Sequence, residues 1–141
     1  MNRSEMEAFF VRRDAAWQRH EVAELTADHT EDCVVHSPLA GKVKGLPAIE
    51  EIYAGWFSSF TDAKYSTESL LIDGNQAAQI VIMTGIHSGD FCGLAPTGKV
   101  FNMRCAFLFG FSEGKIAREI RIYDFTALLL QLGVLKAKPA F

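Results

Sequence analysis

Apolar positions recur at three- and four-residue steps through the first sixty residues and at two-residue steps over much of the next sixty. In the first region, Met6, Phe9, Phe10, Arg13 and Trp17 fall near helical spacing and predict a helix from Ser4 to about His20. Ser4 and Glu7 have the spacing of a capping box, in which each side chain satisfies an orphan amide at the helix start. A short second helix is expected over Glu21 to Ala27, and Cys33 to His36 reads as a short strand. Ser37-Pro38 and Gly41 then break the chain into a loop that ends at Gly45. A third helix opens at Leu46-Pro47, where the missing proline amide costs nothing. Ile49, Ile52, Tyr53, Trp56, Phe57 and Phe60 give this helix a continuous apolar stripe.

From Ala63 the period changes to two. Strands are expected over Tyr65 to Ile72, Gln76 to His87, Val100 to Phe111 and Lys115 to Tyr123. Asp73-Gly74-Asn75 turns the first pair, and Ser112-Glu113-Gly114 reads as a three-residue hairpin loop for the last. Ser88 to Gly98 holds three glycines and a proline and is expected to be a loop or bulged edge. Asp124 can cap a final helix over Phe125 to Leu132, which Gly133 ends. Helices first, then strands joined by short turns, predict one α+β domain with a curved antiparallel sheet wrapped by the N-terminal helices.

Length and composition agree with a single domain. The chain has 141 residues, 49% of them hydrophobic and 22% charged, enough to bury a core and too apolar for disorder. Eleven Phe against three Tyr and two Trp imply a dense aromatic core or an aromatic-lined cavity. Fourteen basic against seventeen acidic residues, net −3, give no basic stripe for nucleic acid, and Lys136-Ala137-Lys138 is too short to count as one. Cys33, Cys92 and Cys105 are odd in number and widely spaced, which suggests reduced thiols in a cytoplasmic protein. The N-terminus is charged, unlike a signal peptide, and no apolar run reaches membrane-span length. No phosphate-cradling glycine loop, nucleophile elbow or metal-ligand cluster is present, so neither cofactor nor metal is expected.

Strand alternation selects the candidate chemistry. Phe101, Met103, Cys105, Phe107 and Phe109 share one face of the long strand, and Ala117, Glu119, Arg121 and Tyr123 share one face of the last. A three-residue hairpin loop would place Phe107 opposite Glu119 and Cys105 opposite Arg121. With the aromatic face inward, Glu119 and Arg121 sit about 7 Å apart along the strand among Phe and Met, where charges must pair or shift their pKa. They are either a structural ion pair or a polar anchor for a ligand carbonyl or carboxylate, since Arg is a fixed fork of donors. His36 and His87 end strands, where imidazoles suit proton transfer near neutrality. The candidate catalytic set is therefore His36, His87, Glu119 and Arg121. The candidate ligand-binding wall is Trp17, Tyr53, Trp56, Phe57, Met103, Cys105, Phe107 and Tyr123. His20 and His29 read as helix-surface residues, and Asp90 is a conceivable gate in the glycine-rich loop.

The run Gly85-Ile86-His87-Ser88-Gly89-Asp90-Phe91-Cys92-Gly93-Leu94-Ala95-Pro96-Thr97-Gly98 resembles a signature of SnoaL-like polyketide cyclases, in the nuclear-transport-factor-2-like superfamily. Val35-His36, Glu113-Gly114-Lys115-Ile116, and Asp124 with Leu130-Gln131-Leu132-Gly133 extend that resemblance over nearly the whole chain. It implies a conical α+β barrel with a deep central cavity and a homodimer formed through the outer sheet face. It also implies where a family catalytic set would stand. The aldol cyclases of the family use a pocket Asp on the last strand, supported by Gln and His two residues apart on the strand before it. Counted from the hairpin, those positions fall on Arg121, Cys105 and Phe107. Arg stays protonated and cannot act as that base. Three functions remain open: an enzyme acting without metal on a small, partly apolar carbonyl compound, a non-catalytic ligand-binding module, and a dimerisation module with a collapsed cavity.

Overall fold

The computed structural model describes residues 1–137; Lys138 of the short basic tail lies outside the described residues. Three helical segments interleave with two strands before the long meander begins. The order is α1 (Arg3–Gln18), α2 (Val22–Ala27), β1 (His29–Ser37), β2 (Gly41–Lys44), α3 (Leu46–Ser59), β3 (Lys64–Asp73), β4 (Gln76–Ile86), β5 (Val100–Ser112), β6 (Lys115–Ile122) and α4 (Phe125–Gln131). The capping box of α1 lies two residues earlier than Ser4 and Glu7. Asn2 Oδ1 accepts from the Glu5 amide at 2.9 Å while the Asn2 amide donates to Glu5 Oε2 at 2.8 Å. Asn2 and Glu5 have the same three-residue spacing as Ser4 and Glu7, so the pattern alone does not choose between them.

The six strands form one open sheet in the order β2-β1-β6-β5-β4-β3. Four neighbouring pairs are antiparallel, but β1 runs parallel to β6. The expectation of a wholly antiparallel sheet fails there because most of the chain separates these two strands, so no hairpin dictates their direction. The short strand β2 occupies what the sequence reads as loop. Bulges curve the sheet: the register slips between Thr67 and Ser69 in β3 and between Gly110 and Phe111 in β5.

The β5–β6 register departs from the expected one by two residues. Phe107 faces Arg121 and Phe109 faces Glu119. One residue of the difference comes from the turn, which is a two-residue Glu113-Gly114 loop with both residues left-handed at φ 52° and 79°. The other comes from Ala117, left unpaired between the Phe111–Ile116 and Gly110–Arg118 pairs. Because the total shift is even, Glu119 stays on the face of the odd-numbered β5 residues.

That face is the core. Phe101, Met103, Cys105, Phe107 and Phe109 on β5, and Ala77, Gln79, Val81 and Met83 on β4, are buried beneath α1 and α3. Helix α1 contributes Met6, Phe10, Arg13 and Trp17, with Phe10 edge-on to Phe109 at 5.2 Å and Trp17 stacked on Tyr65 at 4.6 Å. Helix α3 contributes Ile49, Tyr53 and Phe57. No helix among the described residues is long and apolar enough to cross a membrane.

The glycine-rich segment after β4 is fastened to the end of α3. The Ser88 and Gly89 amides donate to the Ser59 carbonyl at 3.1 and 3.0 Å, and Ser59 Oγ donates to the Asp90 carbonyl at 2.5 Å. A Cβ on Gly89 would lie 2.2 Å from the Ser58 carbonyl oxygen. Gly89→Ala therefore has to push the segment off the helix, an overpacking cost of roughly 1–3 kcal/mol. Urea unfolding should show a lower midpoint for this variant, whereas Gly93→Ala, with no atom near its Cβ position, costs only the strain of its left-handed backbone.

Candidate functional site: a cavity beside a buried ion-pair cluster

A cavity of about 310 Å³ opens between α3 and the inner face of the sheet. This is near the lower end of small-molecule pockets, roughly 300–1,000 Å³. Its walls are Tyr53, Trp56, Ser58 and Ser59 on α3, Trp17 on α1, Met83 on β4 and Met103 on β5. Ser37 at the end of β1, Leu39 and Ala40 of the β1–β2 turn, Asp90, Phe91 and Cys92 of the loop after β4, and Glu51, Ile52 and Gly55 of α3 complete them. Arg121 and Tyr123 reach it from β6 and the residue beyond its end. The lining is mainly aromatic and aliphatic, with Arg121 as its one guanidinium.

Behind Arg121 lies a cluster of charges taken out of water. Glu119 is 1% exposed, and its Oε2 accepts from Arg121 Nε. Its Oε1 stands 3.5 Å from Arg13 Nη2 and 3.8 Å from His29 Nε2. Arg13, projecting from α1, is 2% exposed and lies over the Phe109 ring at 5.2 Å. Its Nη2 also donates to Tyr53 Oη at 2.8 Å. Arg121 Nη2 approaches the same oxygen at 3.4 Å, with its guanidinium 5.3 Å from the Tyr53 ring centre. His29 Nδ1 faces the Leu25 carbonyl at 3.0 Å. A carbonyl only accepts, so Nδ1 carries the hydrogen and Nε2 is the atom turned to Glu119.

Burial alone would push the Glu119 carboxyl up. Arg121, then His29 and Arg13, overcome it and hold the group well below its ordinary value of 4.5. Glu119 is thus a carboxylate fixed in its charged form, a counter-ion more than a proton acceptor. Its geometry fixes the Arg121 fork, whose charge burial opposes and Glu119 restores.

The sequence-selected residues separate into three groups. Trp17, Tyr53, Trp56, Met103, Arg121 and Tyr123 line the cavity. Glu119 lies directly behind Arg121, while Phe57, Cys105 and Phe107 form a second layer. Phe57 packs edge-on to Trp17 at 5.0 Å, and Phe107 stacks with Tyr65 at 6.0 Å. Burial pushes the Cys105 thiol up to about 12. His36 is exposed, on the outer face of β1. His87 is fully buried behind Phe60 and Phe91, its Nδ1 accepting from the Thr97 amide at 3.3 Å. Neither histidine lines the cavity.

His29 is the site residue that the sequence reading mistook for a helix-surface group. It begins β1 and is 1% exposed. Its position follows α2 without a turn signal, so nothing local marks the change from helix to strand. Met83 was within reach of strand alternation, since it pairs directly with Met103 across β4–β5. Phe91 and Cys92 were not, because their place depends on how the loop docks on α3. Among the described residues, no group of three His, Cys, Asp or Glu side chains is placed to hold a metal.

The family model described as SnoaL-like polyketide cyclase matches residues 9–132. AclR from Streptomyces galilaeus, a candidate hydroxylase, superposes with a TM-score of 0.85 at 23% identity, covering 99% of this chain and 87% of that one. IdmH from Streptomyces antibioticus, a candidate polyketide cyclase, gives 0.72 at 24% identity over 85% and 92%. A Catenulispora acidiphila protein with a ketosteroid isomerase-like fold gives 0.76 at 15% identity over 96% of each chain. At these identities the likeness establishes a shared fold and leaves chemistry to the site. A comparison with curated proteins finds no match.

The ion-pair cluster makes a pH-dependent prediction. Glu119 is held below its ordinary pKa, so it stabilises the fold fully above that value and loses its contribution as pH falls toward the folded one. Glu119→Gln should lower stability at pH 7 by roughly 3 kcal/mol, because it strands two buried guanidiniums. It should also flatten the decline that the wild type shows below about pH 5. Urea midpoints measured from pH 7 to pH 3 check both effects.

Proposed function

The chain belongs to the SnoaL-like polyketide cyclase family, and on that premise we propose that it binds a small, partly apolar carbonyl compound in the cavity, with a ligand oxygen on Arg121. The observation that carries this reading is the single guanidinium set in an otherwise mostly apolar wall and held from behind by a buried carboxylate. A preorganised donor of that kind stabilises charge on a carbonyl, enolate or carboxylate oxygen. Aromatic walls at Trp17, Tyr53 and Trp56 suit a planar ligand.

The resemblance puts Arg121, Cys105 and Phe107 where the family's aldol cyclases carry their catalytic set, so aldol closure by that route is not the proposed reaction. If proton transfer occurs, it falls to Asp90 or Glu51, the carboxylates on the cavity wall, and not to His36, His87 or Glu119. A second reading, binding without chemistry, is favoured by one observation: the buried carboxylate nearest the ligand position is locked in its ionised form.

The test uses 2-hydroxy-1,4-naphthoquinone, a planar compound with an ionised oxygen at neutral pH. The wild type should quench its own tryptophan fluorescence on binding it. Arg121→Ala should weaken that affinity roughly 10- to 100-fold, the weight of a charge-assisted hydrogen bond. Equal affinity in the variant would remove Arg121 from the site. Separating the two readings requires watching the bound ligand for conversion or for deuterium uptake at carbon; uptake abolished by Asp90→Asn or Glu51→Gln supports the enzyme.

We also propose a homodimer through the outer sheet face, where Leu108 and Ile122 stand 46% and 55% exposed beside Ile120. Apolar side chains in that concentration mark an association surface. Sedimentation velocity should show a dimer for the wild type and a monomer for Leu108→Glu/Ile122→Glu. A monomeric wild type at micromolar concentration would sink the assignment.

A further inference from the structure

Tyr53 and Tyr65 are both fully buried phenols, yet their hydroxyls are used differently. The Tyr65 hydroxyl donates to Gln79 Oε1, and Gln79 Nε2 passes on to Thr67 Oγ1 at 2.8 Å and Asp14 Oδ1 at 3.2 Å. Its hydrogen has a protein acceptor. The Tyr53 oxygen meets two guanidiniums, Arg13 Nη2 at 2.8 Å and Arg121 Nη2 at 3.4 Å. Guanidinium nitrogens donate and never accept, so the Tyr53 oxygen accepts both. Its own hydrogen is left without a protein acceptor among the described residues, and Tyr53 lines the cavity beside Arg121.

We infer that the Tyr53 hydroxyl is the second donor to the ligand oxygen, aimed by Arg13 and Arg121 from behind. The inference rests on the oxygen-binding reading given above and adds to it a neutral donor, with Arg13 as a positioning residue. Arg121, which has no acceptor, and Tyr53, whose oxygen is already taken up by the two guanidiniums, both offer the ligand only donors and so favour one presenting an anionic oxygen with two free lone pairs: an enolate, a phenolate or a hydroxyquinone anion. An amine would offer them no oxygen, and a neutral carbonyl would accept both bonds with less charge for them to stabilise. Charge points the same way, since among the described residues Glu119 is the one carboxylate within 4 Å of Arg13 or Arg121. Burial pushes the Tyr53 phenol up, and although Arg13 and Arg121 act against that, the group stays protonated and able to donate.

The experiment measures affinities for a series of ring-substituted 2-hydroxy-1,4-naphthoquinones, all ionised at the working pH and differing in oxygen basicity. In the wild type, affinity should rise with basicity. Tyr53→Phe, which keeps Arg121, should bind roughly 10- to 100-fold more weakly and show a flatter dependence on basicity. A wild-type complex should also give a hydroxyl proton resonance downfield of the amides that moves with ligand basicity, a readout independent of whether the variant folds. Unchanged affinities and slope in Tyr53→Phe, or no such resonance in the complex, would overturn the role of Tyr53 while leaving Arg121 in place. Failure of the wild type to bind any member of the series would instead overturn the oxygen-binding reading, and this inference with it.

Discussion

A carboxylate without water must be compensated by its neighbours, and Glu119 draws them from three different parts of the chain. Arg13 comes from α1, His29 from the start of β1, and Arg121 from its own strand. Tyr53 on α3 joins them through the two arginines. Displacing α1 from β6 would leave buried charge unpaired, which costs several kcal/mol per ion. The cluster therefore does more than add stability. It fixes where the two main helices sit over the sheet, and so fixes the cavity between them.

Position follows from this at the other end of the cavity as well. The loop after β4 is held by backbone amides to the Ser59 carbonyl, and Gly89 is the only residue type that tolerates so close an approach. Beyond it, the Phe91 and Leu94 backbones pair across a tight turn at Cys92-Gly93, both left-handed at φ 51° and 79°. Phe91 is thereby pressed into the aromatic group of Trp56, Phe60 and Phe101. The loop side of the cavity is thus held by backbone hydrogen bonds, whereas Met83 and Met103 on the sheet side are adaptable side chains.

Much of this was legible in the sequence, and the illegible parts have specific causes. The α3 stripe and the β5 alternation each report one buried face, and periodicity is all that such a face requires. Strand alternation puts Glu119 and Arg121 on the inner side, and they stay there because an even register shift preserves facing. Their exact cross-strand partners were not, because Glu113 adopts the left-handed conformation that shortens the turn, and Ala117 bulges. Neither event leaves a mark in hydrophobic pattern. His29 and Arg13 illustrate a further limit: their partner is 90 or more residues away, and a polar residue on an apolar stripe looks the same whether it is buried and paired or merely at the edge. Only the tertiary contact distinguishes the two.

The sign of the charge at position 121 has consequences beyond that one residue. A carboxylate there would face Glu119 two residues back on the same strand face, and two carboxylates so close raise the pKa of one of them, which is what a general base requires. An arginine does the reverse. It draws Glu119 into full ionisation, removes it as a proton acceptor, and turns the cavity wall into a donor surface together with Tyr53. The aromatic core is indifferent to this choice, since either arrangement buries the same apolar faces. The chemistry is not, because one arrangement takes protons from carbon and the other holds negative charge on oxygen. For this chain the Glu119–Arg121 pair and the Tyr53 contacts support the second description, the one proposed above.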